Sequence, residues 1–381
     1  MAVKVAVRKI ESYQLDTLKL ALADFFEAAK NTRLANAKTV LIKPNLLGAF
    51  PPEKAVTTHP AILEAIIQLL LEKKKQVFIG DSPGGTVDIK KVWDITGLSA
   101  LAEKYPVKLV SLSGYGIQKL DLDNIELQLS GIIWKMDAVI NVGKMKTHGL
   151  MTYTGAVKNL YGLVPGLAKS DYHRQYPDPH SFGKLLAVLY KAVKHRIAYN
   201  VLDGVIGMDG AGPSAGKAKP FGLLLGSVSA PALDFTASRF MGMKLKHLPY
   251  LQETLHSEGI LPSQIEIPLS FRQFKLPDVD LAPVLISNYV LRLVPEWFRY
   301  FFRLIYDFQP VISERCQACG ICEKACPAKT IVRNPAGYPV IDPANCIKCM
   351  CCHEMCPYQA IDIRKTLITR LIMPNKKKGD Q

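Results

Sequence analysis

Cys316, Cys319, Cys322 and Cys326 are followed by Pro327, and Cys346, Cys349, Cys352 and Cys356 by Pro357, so the spacing C-x2-C-x2-C-x3-C-P occurs twice, thirty residues apart. The chain has nine cysteines, and none lies in its first 315 residues. A 4Fe-4S cube needs four thiolates, and a short looping peptide with this spacing reaches only three of its corners. The fourth must come from elsewhere, which predicts crossed sets. One cluster is assigned to Cys316, Cys319, Cys322 and Cys356, the other to Cys346, Cys349, Cys352 and Cys326. Zinc sites usually come as separated C-x2-C pairs, and triply spaced runs closed by Cys-Pro and duplicated depart from that pattern. Cys351 has no counterpart in the first run and is read as an unligated thiol, a redox role being the alternative.

The doubled run has the spacing of bacterial two-cluster ferredoxins. Such a module takes up a small part of 381 residues, and the remainder is long enough for a core of its own. Hydrophobic residues at 49% and charged residues at 21% belong to the ordinary globular class. Residues 1–8 lack the apolar core of a secretion signal, and no uninterrupted apolar stretch reaches spanning length. Cysteines used as cluster ligands fit a reducing cytoplasm. The formal charge of +15 raises nucleic acid as a partner, but no nucleic-acid module or dense basic run is present beyond Lys376 to Lys378. Attraction to a small anionic substrate or to an acidic membrane surface suits the distribution better.

Residues 1–280 alternate strand-like and helix-like segments, the pattern of an α/β domain with a mostly parallel sheet. Strands are expected at Val3–Val7, Thr39–Lys43, Gln76–Gly80, Val107–Ser111, Ala138–Val142, Ile197–Leu202 and Gly222–Leu225. Helices are expected at Leu15–Lys30, Pro60–Lys74, Ile89–Lys104, Phe182–His195 and Ala232–Met241. Residues 281–312 turn aromatic and basic, and read as an amphipathic connector helix that either packs between domains or docks on a membrane surface. Residues 313–365 form the small α+β ferredoxin-like domain, and residues 366–381 a basic tail.

Open α/β sheets bind ligands at strand ends, and four polar clusters fall there. Lys43, Pro44 and Asn45 follow one strand, with Thr58 and His59 opening the next helix at Pro60. Asp81 and Ser82 follow another, where an N-cap and tight turn explain them as well as a ligand does. The third cluster, Lys144, Lys146, Thr147 and His148 followed by Gly155, Lys158 and Asn159, places lysines among glycines where an anion can be held. The fourth is Asp203-Gly204 with the glycine-rich stretch 210–217, which matches neither the P-loop nor the dinucleotide fingerprint.

These motifs resemble, in order, those of the prokaryotic domain of unknown function 362 family, and the second cysteine run resembles that of its ferredoxin-fused members. The resemblance covers essentially the whole chain, and implies an α/β fold and cluster binding. His148, ten residues before Lys158, with Gly155 before that lysine and Pro165-Gly166 after it, is faintly similar to the lactate racemase family. There, the corresponding histidine and lysine contact a nickel-pincer nucleotide; the further catalytic histidines have no convincing match here, although His173 is nearby.

The chain is thus expected to be an iron-sulfur oxidoreductase that moves electrons between a redox partner protein and a small anionic substrate in the α/β domain. Lys43, Asn45, His59, Asp81, Ser82, Lys144 and Asp203 are the candidate binding residues, and His148, Lys158 and Lys146 the candidate catalytic ones, with His148 as acid or base. A further metal or cofactor in the α/β domain is left open. The alternatives are an electron-transfer adaptor that docks an acidic partner or membrane without chemistry of its own, and a non-redox enzyme with structural clusters.

Overall fold

The computed structural model describes residues 2–29, 32–84, 87–166, 168–281 and 308–365. Its centre is an eight-stranded sheet in the order Ala6–Lys9, Lys217–Ser227, Ile197–Asp209, Ala138–His148, Thr39–Lys43, Gln76–Asp81, Val107–Ser111, with Thr152–Thr154 paired onto Ala138–His148. Five consecutive strands, from Ile197–Asp209 to Val107–Ser111, are parallel. Lys217–Ser227 runs against both of its neighbours.

Alternation along each strand divides the core in two. Val40, Ile42, Ala138 and Ile140 face one apolar layer, while Leu41 and Val139 face the other. A sheet covered on both faces reads as nearly unbroken apolar runs, hence the visibility of Thr39–Lys43 and Ala138–Val142 in the sequence. Local chemistry starts the covering helices. Pro60 opens Pro60–Glu72 with His59 as its cap, the ring Nδ1 accepting from Ala61 N–H at 3.2 Å. Asp178 caps Pro179–Val193 and Ser229 caps Ala230–Phe240 in the same manner.

The chain lays Thr39–Lys43, Gln76–Asp81 and Val107–Ser111 outward in turn, then returns to place Ala138–His148 on the other side of Thr39–Lys43. That reversal opens a crevice at the carboxyl ends of these strands.

Several elements differ from the sequence reading. Val3–Val7 is two pieces: Val3–Lys4 pairs with Ile265–Glu266, and Ala6–Lys9 joins the main sheet. The Ile89–Lys104 helix breaks at Gly97, whose φ of 80° no right-handed helix accommodates. Ala138–Val142 continues to His148 and Ile197–Leu202 to Asp209, because buried polar side chains are paired there and the strands need no apolar pattern to continue. The 210–216 stretch joins two antiparallel strands, and a Cβ at Gly212 would collide with Thr147 O.

Most of the expected 281–312 connector lies outside the described residues, as does the 366–381 tail. The end of the connector, Phe308–Ile312, is not helical but a strand antiparallel to Ile361–Lys365, so the small module begins before residue 313. Its other parts are the hairpin Ile331–Arg333 with Pro339–Ile341 and two five-residue helices, Ile321–Ala325 and Cys351–Met355.

Candidate active site

The buried ammonium of Lys43 stands 2.8 Å from Asp81 Oδ1 across two adjacent strand ends. The N–H groups of Leu46 and Ser82 also donate to the Asp81 carboxylate, each at 2.8 Å. Desolvating two charges is costly, and here the cost is offset because both carboxylate oxygens are occupied. Burial pulls the Lys43 pKa down, and Asp81 opposes that shift. Gly162 lies so close to the pair that a Cβ would collide with Asp81 Oδ1.

Lys144, Lys146 and His148 alternate along one strand and project to the same side. Their partners differ. Lys144 Nζ is 2.7 Å from Asp203 Oδ2 and donates to Tyr13 Oη at 3.1 Å, while Tyr13 donates to Asp203 Oδ1 at 2.9 Å. His59 N–H donates to Asp203 Oδ2 at 3.0 Å, and its ring stacks on Tyr13 with centroids 3.5 Å apart. Lys146 Nζ donates to Val56 O at 2.7 Å and Asn45 Oδ1 at 3.2 Å. Burial, then the charges of Lys158 and Lys144, bring the Lys146 pKa down to about 7.

His148 Nδ1 accepts from the N–H groups of Leu150 and Met151 at 3.1 and 3.2 Å, which places its proton on Nε2. Nε2 is 3.2 Å from Glu354 Oε1 of the cysteine module, out of line for a hydrogen bond, so both atoms go without one. Burial, then Lys158 and Lys146, hold the His148 pKa well below its usual value, and the ring is neutral.

Lys158 sits on the short helix Ala156–Asn159. The N–H groups of Ala156 and Val157 donate to the two oxygens of Asp234, at 2.6 and 3.0 Å. Burial raises the Asp234 pKa to about 7. Asn159 accepts from Asn45 at 3.0 Å and donates to Asn141 Oδ1 at 2.8 Å, and Asn141 donates to Asn200 at 2.9 Å, so a chain of amides ties the loop to two strands and to the segment that follows a third. Lys158 itself makes no hydrogen bond or ion pair among the described residues. Its pKa is lowered by burial, against the pull of Glu354.

A cavity of about 100 Å³ opens at this crevice, between the α/β domain and the module. Asn45, Asp81, Ser82, Lys146, Lys158, Lys169 and His173 wall one side, and Ala325, Cys351, Glu354 and Met355 the other. Lys169 donates to Ser82 O, and burial lowers its pKa to about 8. His173 stacks on Phe182 with centroids 4.5 Å apart, and its buried Nδ1 has no hydrogen-bond partner. Burial, then Lys158 and Lys169, lower its pKa to about 3, so it is neutral. A space with three lysines and unpartnered buried polar atoms suits a small anion.

Of the residues singled out in the sequence, Asn45, Asp81, Ser82, Lys146 and Lys158 line this cavity. Lys43 stands behind Asp81, and His148 behind Glu354. His59, Lys144 and Asp203 form the separate Tyr13 network and do not line it. Sequence reasoning gave no role to Lys169 or Glu354, and left His173 without one. Glu354 was detectable: it replaces Lys324 of the first run, as Cys351 replaces Ile321 and Met355 replaces Ala325.

The module is seated on the 210–216 turn, where Gln359 Nε2 donates to Ser214 O at 2.8 Å and the buried Ser214 hydroxyl meets His353 O. Within it are two hollows. One is lined by Cys316, Cys319, Cys322 and Cys356, the other by Cys326, Cys346, Cys349 and Cys352. Backbone N–H groups of Ala318 and Lys348 point at the sulfurs of Cys316 and Cys346, both at 3.4 Å, and those of Thr330 and Ala360 at Cys326 and Cys356, at 3.4 and 3.2 Å. Among the described residues no group of His, Cys, Asp or Glu has the arrangement of a single-ion site. Four sulfurs around a hollow, with N–H donors to several of them, fit a cluster in each.

The family profile described as "Domain of unknown function (DUF362)" matches residues 40–239, and that of the "4Fe-4S binding domain" matches residues 310–332 and 339–362. The chain is similar to the "Thylakoid-associated protein sll1697" of Synechocystis sp. (strain ATCC 27184 / PCC 6803 / Kazusa), 31% identical over 317 residues that cover 79% of this chain and 95% of that one. Among solved structures, the lactate racemase apoprotein from Thermoanaerobacterium thermosaccharolyticum has a TM-score of 0.41 at 14% identity, covering 63% of this chain and 57% of that one. Among the described residues no helix is long and apolar enough to cross a membrane.

Proposed function

The chain belongs to the DUF362 family and carries a 4Fe-4S binding domain of two motifs, and from this premise we propose that it is an oxidoreductase exchanging electrons with a small anion held in the cavity. The supporting observation is that one wall of the cavity is cationic side chains and the other is the helix Cys351–Met355, flanked by the two cysteine hollows. Bound clusters would be held by Cys316, Cys319, Cys322 and Cys356 and by Cys326, Cys346, Cys349 and Cys352, and would supply single electrons.

The other roles fall to the protein's own side chains. Lys146, Lys158 and Lys169 attract the anion, and Asn45 and Ser82 orient it. His173, neutral and unpartnered at Nδ1, is placed to accept a proton from the anion or return one. His148 acts through Glu354, holding that carboxylate at the cavity wall. Asp81 fixes Lys43, and Asp234 fixes the turn of backbone that presents Lys158. Tyr13, His59, Lys144 and Asp203 support the strand ends from the adjoining network.

A redox partner protein would deliver or take the electrons. The net charge of +15 and the name of the thylakoid-associated relative favour a cytoplasmic protein that touches an acidic membrane surface. The test is anaerobic stopped-flow spectroscopy of the reduced protein against a panel of reducible small anions, 2-oxo acids and α,β-unsaturated carboxylates, which can accept the electrons. At least one should reoxidise the clusters in the wild type and fail to do so in Lys158→Ala. Reoxidation by none, or at equal rates in both proteins, would leave an adaptor without chemistry of its own.

A further inference from the structure

Cys351 is the cysteine outside both hollows, and among the described residues it is the one thiol that lines the cavity. Its counterpart in the first run, Ile321, lines the hollow of Cys316, Cys319, Cys322 and Cys356 instead. The Cys351 side chain is hydrogen-bonded to Cys349, a member of the other set, and it precedes Cys352 of that set in the chain. The same cavity holds two polar atoms that are buried and unpartnered, His173 Nδ1 and Glu354 Oε1, on residues 5% and 7% exposed. His173 Nδ1 is open to a ligand, whereas Glu354 Oε1 faces His148 Nε2 at 3.2 Å, and Cys351 lines the same space.

We propose that Cys351 is a wall of the ligand site and couples its occupant to the Cys326, Cys346, Cys349 and Cys352 set, leaving the other set unaffected. This rests on the reading of the cavity as an anion site. The geometry gives the two sets different standing. The Cys326 set meets the cavity through the Cys349 to Cys351 contact, whereas Cys319 of the other set is exposed, as is Tyr358, which lines the same hollow. An anion beside Cys351 changes the electrostatic surroundings of the nearer sulfurs first, since interaction falls with distance and is screened towards solvent.

Two measurements on the anaerobic full-length protein test this. In the first, Cys351 is alkylated with iodoacetamide and mapped by mass spectrometry, with and without pyruvate, oxalate or inorganic phosphate. At about ten times its Kd, a bound anion should slow labelling about ten-fold, by the mass-action factor. In the second, potentiometric titration followed by electron paramagnetic resonance should show the anion lowering the potential of one cluster alone, because negative charge favours the oxidised state. Cys351→Ser and Cys351→Val should both retain the iron content of the wild type, and Cys351→Val, which removes the thiol contact to Cys349, should change the size of that cluster's shift while the other cluster stays unmoved.

An anion that binds by calorimetry but neither protects Cys351 nor distinguishes the clusters would overturn the proposal and leave the anion site standing. Failure of every probe to bind would remove both.

Discussion

His148 Nε2 and Glu354 Oε1 meet at 3.2 Å across the joint between the α/β domain and the cysteine module, two polar atoms from distant parts of the chain that are buried against each other. The contact registers the module on the cavity. Glu354→Lys would set a third cation against Lys146 and Lys158 and should loosen the module, with protease cleavage near the joint rising several-fold. Glu354→Gln keeps the shape and should cost only about 1 kcal/mol of stability, because the present contact is not an aligned hydrogen bond. Hydrogen exchange at the Leu150 and Met151 amides, which donate to the His148 ring, reads the difference.

Asp81→Ala should be among the most damaging substitutions in the α/β domain. It strands the buried Lys43 ammonium without its carboxylate, at a cost of about 3–5 kcal/mol. Replacing both residues by apolar ones of similar volume should recover most of that loss. Thermal unfolding of the single and double variants provides the comparison.

Affinity for an anion should fall as pH rises. Lys146 and Lys169 have pKa values lowered to about 7 and about 8, chiefly by burial, so both lose charge between roughly pH 6 and 9. Binding requires their charged forms and is full below that window. His173, with its pKa lowered to about 3, stays neutral throughout and contributes no slope. Calorimetric titration with phosphate is complicated by the anion's own ionisation, so oxalate, fully ionised across the window, is the better probe. A flat profile in Lys146→Arg up to the Lys169 transition would assign the lower limb.

Asp234→Ala should weaken anion binding without touching the cavity. Two backbone N–H groups lose their acceptor, at about 1–3 kcal/mol for each buried group left unsatisfied, and the turn carrying Lys158 loosens. Asp234→Asn retains one acceptor oxygen and should fall between the wild type and alanine. Chemical-shift perturbation at Val157 and Lys158 separates local loosening from global unfolding.

Cys326→Ala should distinguish crossed from sequential ligation. In the crossed arrangement it disturbs the cluster of Cys346, Cys349 and Cys352, and leaves intact the one whose first three ligands precede it in the chain. Iron analysis should fall from about eight per chain towards about four. Mössbauer spectra of the remaining cluster should match those of the wild type.

The parts of this architecture that follow repeating rules were legible in the chain. Alternating faces at Thr39–Lys43 and the cap and proline at His59-Pro60 identify a strand and a helix start through chemistry confined to a few residues. Lys146 and Lys158 stood out because lysines among glycines are unusual at a strand end. What could not be read was pairing over long separations. Nothing local to Lys144 reveals that Asp203 neutralises it and removes it from the cavity, or that Asp81 does the same for Lys43. His148 drew attention as the histidine of its motif, whereas the histidine that lines the cavity is His173, on a polar helix without an apolar pattern to place it. Glu354 was passed over because residues between cluster ligands are readily taken as spacers, although setting the two runs side by side places it against Lys324.

The near-symmetry of the module has a practical corollary for anyone who would graft it. Its halves repeat in helix length and in the left-handed φ of Ala318 and Lys348, Gly320 and Met350, and Lys329 and Gln359. They part at the face turned towards the large domain, where Ile321, Lys324 and Ala325 give way to Cys351, Glu354 and Met355. A ferredoxin transplanted from elsewhere could therefore carry the right metal and still leave the cavity without the side that faces its lysines. The transferable unit is the whole module, since each hollow takes cysteines from both halves, together with the turn on which it rests.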